Sequence, residues 1–315
     1  YAHFFEGGPL GDILDSCEEG QLARKLVSPD DSPPPERMYL RDIVDGTICA
    51  DLLDYLKRDN YFCGLHQEFD ERVFHYFTLA GGRLALDLVQ DGLFRRDALS
   101  EITNLLRIRY VLSERVYYHH AKIAAGVMIS KAVELARSEG MTGRDLYDLT
   151  DESLFYYLKD RYATSEVCEL VDALRERRLF KRCYMLTRDV GEDQVAGLVR
   201  RHHHNEDGAR LKAEEEIAGA LGVPAHHVAI YCAPAEMALK EARVPAALGE
   251  GRVRSLAELN SDEIRVLKEQ HRQLWKFYVF ISREHLDALD RAGEACEDII
   301  GHPNELPRQM RGELL

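Results

Sequence analysis

The spacing of apolar residues changes once along this chain, close to Arg178. Before Arg178, apolar residues recur at helical spacing, as in Ile48, Leu52, Leu53 and Leu56, and strand-like runs are scarce. After it, short runs rich in β-branched and aromatic residues alternate with helical stretches. The pattern predicts a mainly α fold, in which a helical body is followed by a smaller α+β lobe.

The same patterns predict individual elements. Helices are expected over residues 1–27, 43–65, 70–80, 83–91, 97–108, 111–138, 151–159 and 164–176, and near 191–221, 261–273 and 283–300. Strands are expected over residues 179–186, 228–232, 241–246 and 277–281. Asp45 or Thr47 is expected to cap the second helix, and Gly64 and Gly140 are expected to end two helices. Because three consecutive prolines at 33–35 cannot continue a helix, the predicted domains are a helical segment with a proline-rich loop (1–35), the helical body (36–178) and the lobe (179–315).

Composition restricts the class of protein. A chain of 315 residues suffices for one large domain with an appendage or for two domains. The formal net charge of −14 argues against general nucleic-acid binding. Seven cysteines without a CxxC pair argue against a disulfide framework and favour a cytoplasmic location. Since no apolar run approaches the ~20 residues of a membrane span, no membrane association is expected.

One segment places chemically useful groups on a single side of a predicted helix. Asp51, Tyr55 and Asp59 follow one another at intervals of four residues, so they share one helix side while leucines occupy the other. A carboxylate there can hold a divalent cation, and the phenol offers a stacking face and a hydroxyl. An amphipathic helix with a solvated acidic face, stabilised by an Asp54–Arg58 pair, has the same spacing. Spacing alone therefore leaves both interpretations open.

The wider pattern resembles the HD-domain phosphohydrolases, and among them the deoxynucleoside triphosphate (dNTP) triphosphohydrolases. The first matching segment is the Asp, Tyr, Asp series followed by Phe69-Asp-Glu-Arg72. The second is Arg109, eight residues before Tyr117, with His119 two residues later. The resemblance covers roughly residues 36–245 and implies a helical HD-type body.

The resemblance implies a role for each of these residues. Asp51 would be a metal ligand, and the substrate-binding residues would be Tyr55, Asp59, Arg109, Tyr117 and His119. Arg109 would bind the triphosphate, for which a guanidinium is suited. Tyr117 would stack on the deoxyribose where a 2′-hydroxyl would otherwise fit. Leu52 stands where family members often carry a phosphate-binding Lys, so the resemblance does not imply this phosphate contact.

The implied reaction is metal-dependent hydrolysis of a dNTP to deoxynucleoside and triphosphate, in which a metal-activated water attacks the α-phosphorus. The implied cofactor is a divalent metal ion (Mg, Mn, Fe, Zn or Ni), and the implied assembly is a homo-oligomer. The alternatives are a catalytically incomplete, nucleotide-binding regulatory subunit and an HD-type hydrolase of another phosphorylated nucleotide.

The hallmark of the family, a His followed by a His-Asp dipeptide, has no counterpart, since the sequence contains no His-Asp dipeptide. The catalytic residues therefore cannot be assigned. Because the chain starts at Tyr1 within an apparent helix, we expect a fragment, a processed chain or one piece of a split protein. The H…HD half would then have been removed, be supplied by another chain or have been lost together with catalysis.

The remaining histidines are interpreted as structural. His202–His204 and the pair His226–His227 are expected in solvated loops, because consecutive histidines diverge and rarely bind one ion together. His3 is expected in a helix core or on a helix surface. The stretch 177–181 resembles an element that borders a regulatory nucleotide site in some family members, but a helix-to-strand junction is favoured here.

Overall fold

The computed structural model describes residues 9–28, 31–237, 239–259 and 262–306. It consists of two compact units, one formed by Tyr1–Val116 with Ala238–Arg272 and the other by Tyr117–Met237 with Gln273–Leu315. The predicted domain limits at 35 and 178 do not coincide with this division and stay a prediction. Residues 1–8, and with them His3, lie outside the described residues. The predicted fold class, mainly α with a smaller α+β part, is confirmed.

The elements are numbered in chain order. The helices are α1 (Pro9–Asp15), α2 (Glu18–Val27), α3 (Met38–Asp45), α4 (Ala50–Phe62), α5 (Arg96–Leu112), α6 (His120–Ser138), α7 (Asp151–Arg161), α8 (Ser165–Arg175), α9 (Glu192–Leu198), α10 (Ala209–Leu221), α11 (Asp262–Arg272) and α12 (Leu289–Ile300). The strands are β1 (Phe77–Ala80), β2 (Arg83–Asp87), β3 (Val89–Gln90), β4 (Leu93–Phe94), β5 (Lys181–Thr187), β6 (Val228–Cys232), β7 (Pro245–Ala247), β8 (Val253–Ser255) and β9 (Lys276–Ile281). No helix among the described residues is long and apolar enough to cross a lipid bilayer.

The first unit contains a sheet of order β1-β2-β7-β8 and a separate β3–β4 hairpin. β2 pairs parallel with β7, which lies far away in sequence, and the other pairs are antiparallel. The predicted helix 83–91 is therefore wrong, and of the predicted helix 70–80 only Glu71–Tyr76 is helical, as a 3-10 helix. The helical body predicted up to 178 thus also contains strands. The β1–β2 turn is Gly81-Gly82 and the β3–β4 turn is Asp91-Gly92, all with positive φ. Such turns match the twist of paired strands, and a helix cannot pass through them.

The second unit is built on an antiparallel sheet of order β5-β9-β6. Its large side chains, Tyr184, Trp275, Phe277 and Phe280, are fully buried. The Trp275 indole Nε1 donates to the Ala233 carbonyl at 3.0 Å, which satisfies its one polar group. The predictions of strands at 179–186, 228–232 and 277–281 are confirmed, whereas of 241–246 only the end becomes β7.

Several predicted helices are confirmed, and two are interrupted. Helix 43–65 is divided into α3 and α4, and the N-cap of α4 is Cys49 rather than Asp45 or Thr47. Helix 111–138 begins only at α6, because His119 has an extended backbone and its Nδ1 accepts from the Ala121 N–H at 3.3 Å. Residues Ser113–Tyr117 form a π-helical turn after α5. Gly64 and Gly140 have positive φ just beyond the ends of α4 and α6, as predicted.

Candidate functional site

Helix α4 has an apolar face and a polar face, as its spacing predicts. Leu52, Leu53 and Leu56 are buried, whereas Asp51 is exposed and Tyr55 and Asp59 are partly exposed. The three predicted site residues therefore share the outer side of a helix whose inner side is fixed by the core. The expected i,i+4 pair is also present, since Arg58 lies 2.6 Å from the carboxylate of Asp54. The solvated-face interpretation is thus compatible with the same helix.

A cation–π contact on this surface joins α4 to α5. The guanidinium carbon of Arg109, near the end of α5, lies 5.2 Å from the centroid of the Tyr55 ring. A cation at this distance from an aromatic face is attracted by the ring quadrupole. Tyr55 and Arg109, which the family resemblance assigns to substrate binding, are 54 positions apart in sequence and are neighbours in the fold. The permanent charge of Arg109 therefore lies beside the polar face of α4.

Asp51 occupies the first turn of α4, where a carboxylate is favoured by the helix dipole. Among the described residues, no set of three His, Cys, Asp or Glu side chains suited to one ion includes Asp51. A single carboxylate does not hold a catalytic metal against water. The described residues therefore do not complete a metal site at Asp51.

The Phe69-Asp-Glu-Arg72 element has a structural function in this chain. Phe69 is buried, and the Lys57 ammonium lies 5.0 Å from the centroid of its ring. The Asp70 carboxylate accepts from the Arg72 backbone N–H at 2.8 Å and from Arg72 Nε at 2.9 Å. The backbone hydrogen bond is the main reason that the pKa of Asp70 is lowered. The element caps a short 3-10 helix, Glu71–Tyr76, and fixes the loop after α4.

Tyr117 and His119 belong to the second unit. Tyr117 is partly buried at the end of the π-helical turn, and His119 is the exposed N-cap of α6. The His119 ring centroid lies 4.3 Å from that of His120. Burial, followed by the charges of Arg182, His119 and Lys181, lowers the pKa of His120 to about 4. The assembly of Tyr117 and His119 with the residues of α4 and α5 stays a prediction.

A cluster that the sequence did not predict involves the pair His226–His227. The expectation of a solvated loop is wrong for both residues, since the side chain of His226 is 10% exposed and that of His227 is 9% exposed. Nε2 of His226 lies 2.8 Å, and Nε2 of His227 3.2 Å, from Oε2 of Glu169. Their ligand atoms all lie within 4.8 Å of one another. Sequence alone could not predict this cluster, because Glu169 is 57 positions from His226.

The tract His202–His204 is likewise not a solvated loop throughout. His202 is only 5% exposed and its ring contacts that of Phe277 edge-on, with centroids 5.2 Å apart. Nδ1 of His203 lies 2.9 Å from the Cys232 carbonyl, and His204 is exposed. The π-helical turn Val199–His203 directs these three rings to different surroundings.

Comparisons with known proteins agree with this architecture. Residues 85–305 match the family model of the HD associated region, and HD-type phosphohydrolases generally use divalent metal ions. No curated protein matches the chain significantly.

Two solved structures share the fold. One is a phosphohydrolase from Bacteroides thetaiotaomicron, with a TM-score of 0.57 and 18% sequence identity. The alignment covers 87% of this chain and 70% of the phosphohydrolase chain. The other is a hypothetical protein from Aquifex aeolicus, with a TM-score of 0.65 and 18% sequence identity. The alignment covers 92% of this chain and 70% of the Aquifex chain. The family model supports the resemblance at the level of the HD superfamily, and the dNTP-hydrolysing branch stays a prediction. Because the family model matches well over half of the sequence, this chain belongs to the HD associated region family.

Proposed function

We propose that this chain provides the substrate-binding part of a metal-dependent HD-superfamily phosphohydrolase that converts dNTPs to deoxynucleoside and triphosphate. Family membership and the fold shared with a bacterial phosphohydrolase support the general activity. The observation that carries the specific proposal is the contact between Arg109 and Tyr55, with 5.2 Å from guanidinium carbon to ring centroid. It joins a phosphate-binding cation to an aromatic surface suited to a sugar.

In this proposal each residue binds or orients one part of the nucleotide. Arg109 contacts the triphosphate through charge-assisted hydrogen bonds. Tyr55 and Asp59, on the outer side of α4, position the sugar, and His119 contributes a further polar contact. Tyr117 presents its ring to the deoxyribose and so disfavours a 2′-hydroxyl. Holding the nucleotide in one orientation is itself a large part of catalysis.

Asp51 would contribute one carboxylate to a divalent metal, and the other ligands would be the H…HD residues that this sequence does not contain. We further propose that the assembled protein is a cytoplasmic homo-oligomer. A regulatory role for the chain is the second candidate, because no group of three potential metal ligands among the described residues includes Asp51. In that case the same surface would bind a dNTP without turnover.

The test measures products in the holoenzyme, with the H…HD ligands present and Mn²⁺ or Mg²⁺ added. A panel of dNTPs, ribonucleoside triphosphates and deoxynucleoside monophosphates is incubated, and nucleosides and inorganic phosphates are separated by ion-exchange chromatography. We expect triphosphate and deoxynucleoside in equal amounts from dNTPs, and no turnover in Asp51→Ala. The matched control is Asp54→Ala on the same helix, which loses only an exposed ion pair with Arg58.

Three other outcomes would contradict the proposal. Thermal stabilisation by dNTPs without products would replace it by the regulatory role. Turnover restricted to ribonucleotides or monophosphates would assign a different substrate. Equal activity and metal content in wild type and Asp51→Ala would exclude Asp51 as a metal ligand.

A further inference from the structure

The cluster of Glu169, His226 and His227 is held by rigid parts of the second unit. Glu169 lies on α8, and the two histidines lie on the 3-10 turn Ala225–His227 that leads directly into β6. The His227 carbonyl accepts from the Ser282 N–H at 2.8 Å, which extends the pairing of β6 with β9. The His227 N–H donates to the Pro224 carbonyl at 3.0 Å. The positions of both rings are thus set by the end of the sheet.

Exposure differs between the two sides of the cluster. The imidazole rings are about nine-tenths buried, whereas the Glu169 side chain is 55% exposed. A ligand could reach the cluster from solvent on the carboxylate side, while the protein fixes the two nitrogen donors. The carboxylates of Glu166 and Glu284 interact electrostatically with His226 and His227 respectively.

A fourth side chain orients His227. This side chain is His285, in the 3-10 helix after β9, and its Nε2 lies 2.9 Å from Nδ1 of His227. A histidine that binds metal through one ring nitrogen usually makes a hydrogen bond through the other, which fixes its tautomer. If His227 Nδ1–H donates to His285, Nε2 of His227 presents a lone pair towards Glu169. In the opposite tautomer, which suits the metal-free chain, His285 would donate to Nδ1 of His227 and the Nε2–H of His227 would donate to Glu169.

We propose that Glu169, His226 and His227 form a binding site for a divalent transition metal of the zinc class. Two imidazoles and one carboxylate, with water in a remaining position, are a common ligand set for zinc, whereas calcium and magnesium prefer oxygen ligands alone. Metal–ligand bonds of about 2.0–2.1 Å in tetrahedral geometry separate donor atoms by roughly 3.3 Å. The two donor distances to Glu169, 2.8 and 3.2 Å, lie close to this value, and all three ligand atoms lie within 4.8 Å of one another.

Such an ion would join α8 to the turn before β6. Because the ligands converge only in the folded chain, a bound metal stabilises the fold by mass action. This inference uses none of the residues assigned to dNTP binding, and it holds or fails independently of the proposed hydrolase activity.

The experiment uses the 315-residue chain, freed of metal by chelator and titrated with Zn²⁺ by calorimetry. Glu169→Gln and His226→Gln test the site, and Glu216→Gln and His204→Gln are matched controls at exposed positions. We expect a strong site of one equivalent in wild type and both controls, with at least a tenfold weaker affinity in each test variant. Saturating Zn²⁺ should raise the melting temperature by roughly 5 °C in wild type and by much less in the test variants.

Co²⁺ gives an independent readout, since its visible absorption bands report coordination by nitrogen and oxygen donors in near-tetrahedral geometry. Circular dichroism of the metal-free proteins checks that each variant folds as wild type does. Two results overturn the proposal: no strong Zn²⁺ site in metal-free wild type, or equal affinity in Glu169→Gln, His226→Gln and wild type. Selective loss in the two test variants supports it.

Discussion

The guanidinium carbon of Arg109 lies 5.2 Å from the ring centroid of Tyr55, so a permanent cation on α5 covers an aromatic face on α4. A contact of this kind contributes about 0.5–1 kcal/mol at exposed positions. It also restricts the rotamers of a long side chain, which reduces the entropy lost when the guanidinium binds a phosphate. The ring of Tyr55 thus prepares Arg109 for its proposed function.

Replacement of Tyr55 by Leu should therefore weaken dNTP binding by about two- to fivefold, as the loss of about 0.5–1 kcal/mol implies. Tyr55→Phe keeps the ring over Arg109 and should lose less. The measurement is the dissociation constant by calorimetry. Tyr156→Leu is the matched control, because the Tyr156 ring lies 5.4 Å from the Arg175 guanidinium carbon but belongs to no proposed site. Equal affinity in Tyr55→Leu and wild type would contradict this function for Tyr55.

The junction between α3 and α4 requires a residue without a side chain. A Cβ on Gly46 would lie 2.1 Å from the Asp42 carbonyl oxygen, so Gly46→Ala must shift the backbone. We expect a loss of about 1–3 kcal/mol in the free energy of unfolding, measured by urea denaturation. Gly126→Ala is the control: Gly126 lies inside α6 with nothing within 4 Å of an added Cβ, and alanine should stabilise by about 0.5–1 kcal/mol. A Gly46→Ala variant as stable as wild type would show that the junction tolerates a side chain.

The sequence predicts the parts of this fold that depend on local pattern. The leucine face of α4 follows from helical spacing, and β5, β6 and β9 follow from runs of β-branched and aromatic residues. The strands β1 and β2 were predicted wrongly although their Gly81-Gly82 turn signal is present in the sequence. The two strands pair with each other as a local hairpin, and only β2 also pairs with β7, which lies far along the chain, so this last contact is the part that local pattern could not predict.

In the candidate site, too, some residues are placed by local spacing and others by the packing of helices. Asp51, Tyr55 and Asp59 share a helix side because intervals of four residues place them there. The proximity of Arg109 depends on how α5 packs against α4, and only the resemblance to a family suggested it. No resemblance pointed to Glu169 and His226, which come together through the packing of α8 against the turn before β6.

The burial of His202 predicts a specific dependence of stability on pH. Burial, followed by the charges of Arg201 and Arg210, lowers the pKa of His202 from 6.5 to about 4. Above pH 6.5 the imidazole is neutral in both states and its contribution is complete. As the pH falls from 6.5 to about 4, the unfolded chain binds a proton that the folded chain does not, so stability falls by up to about 3 kcal/mol.

His202→Phe should remove this part of the pH dependence. Phenylalanine has a similar shape, and Nδ1 of His202 has no hydrogen-bond partner that would be lost, so the variant should be close to wild type in stability at pH 7. The free energy of unfolding is measured by urea denaturation at pH 7 and pH 4.5 for both proteins. Between pH 7 and pH 4.5, the free energy of unfolding should fall by less in the variant than in wild type. The same difference at both pH values would show that His202 titrates normally.

The surface around Arg109 is proposed to bind the phosphates of a dNTP, and the dissociation constant of each dNTP for the 315-residue chain measures this binding. Hydrogen bonds to charged groups contribute about 1.5–3 kcal/mol, so Arg109→Ala should weaken binding by about 10- to 100-fold. Arg265→Ala, which removes an exposed cation on α11 paired with Asp262, should change it by less than about twofold. If Arg109→Ala binds as wild type does, or if both variants weaken binding equally, Arg109 is not the phosphate-binding residue.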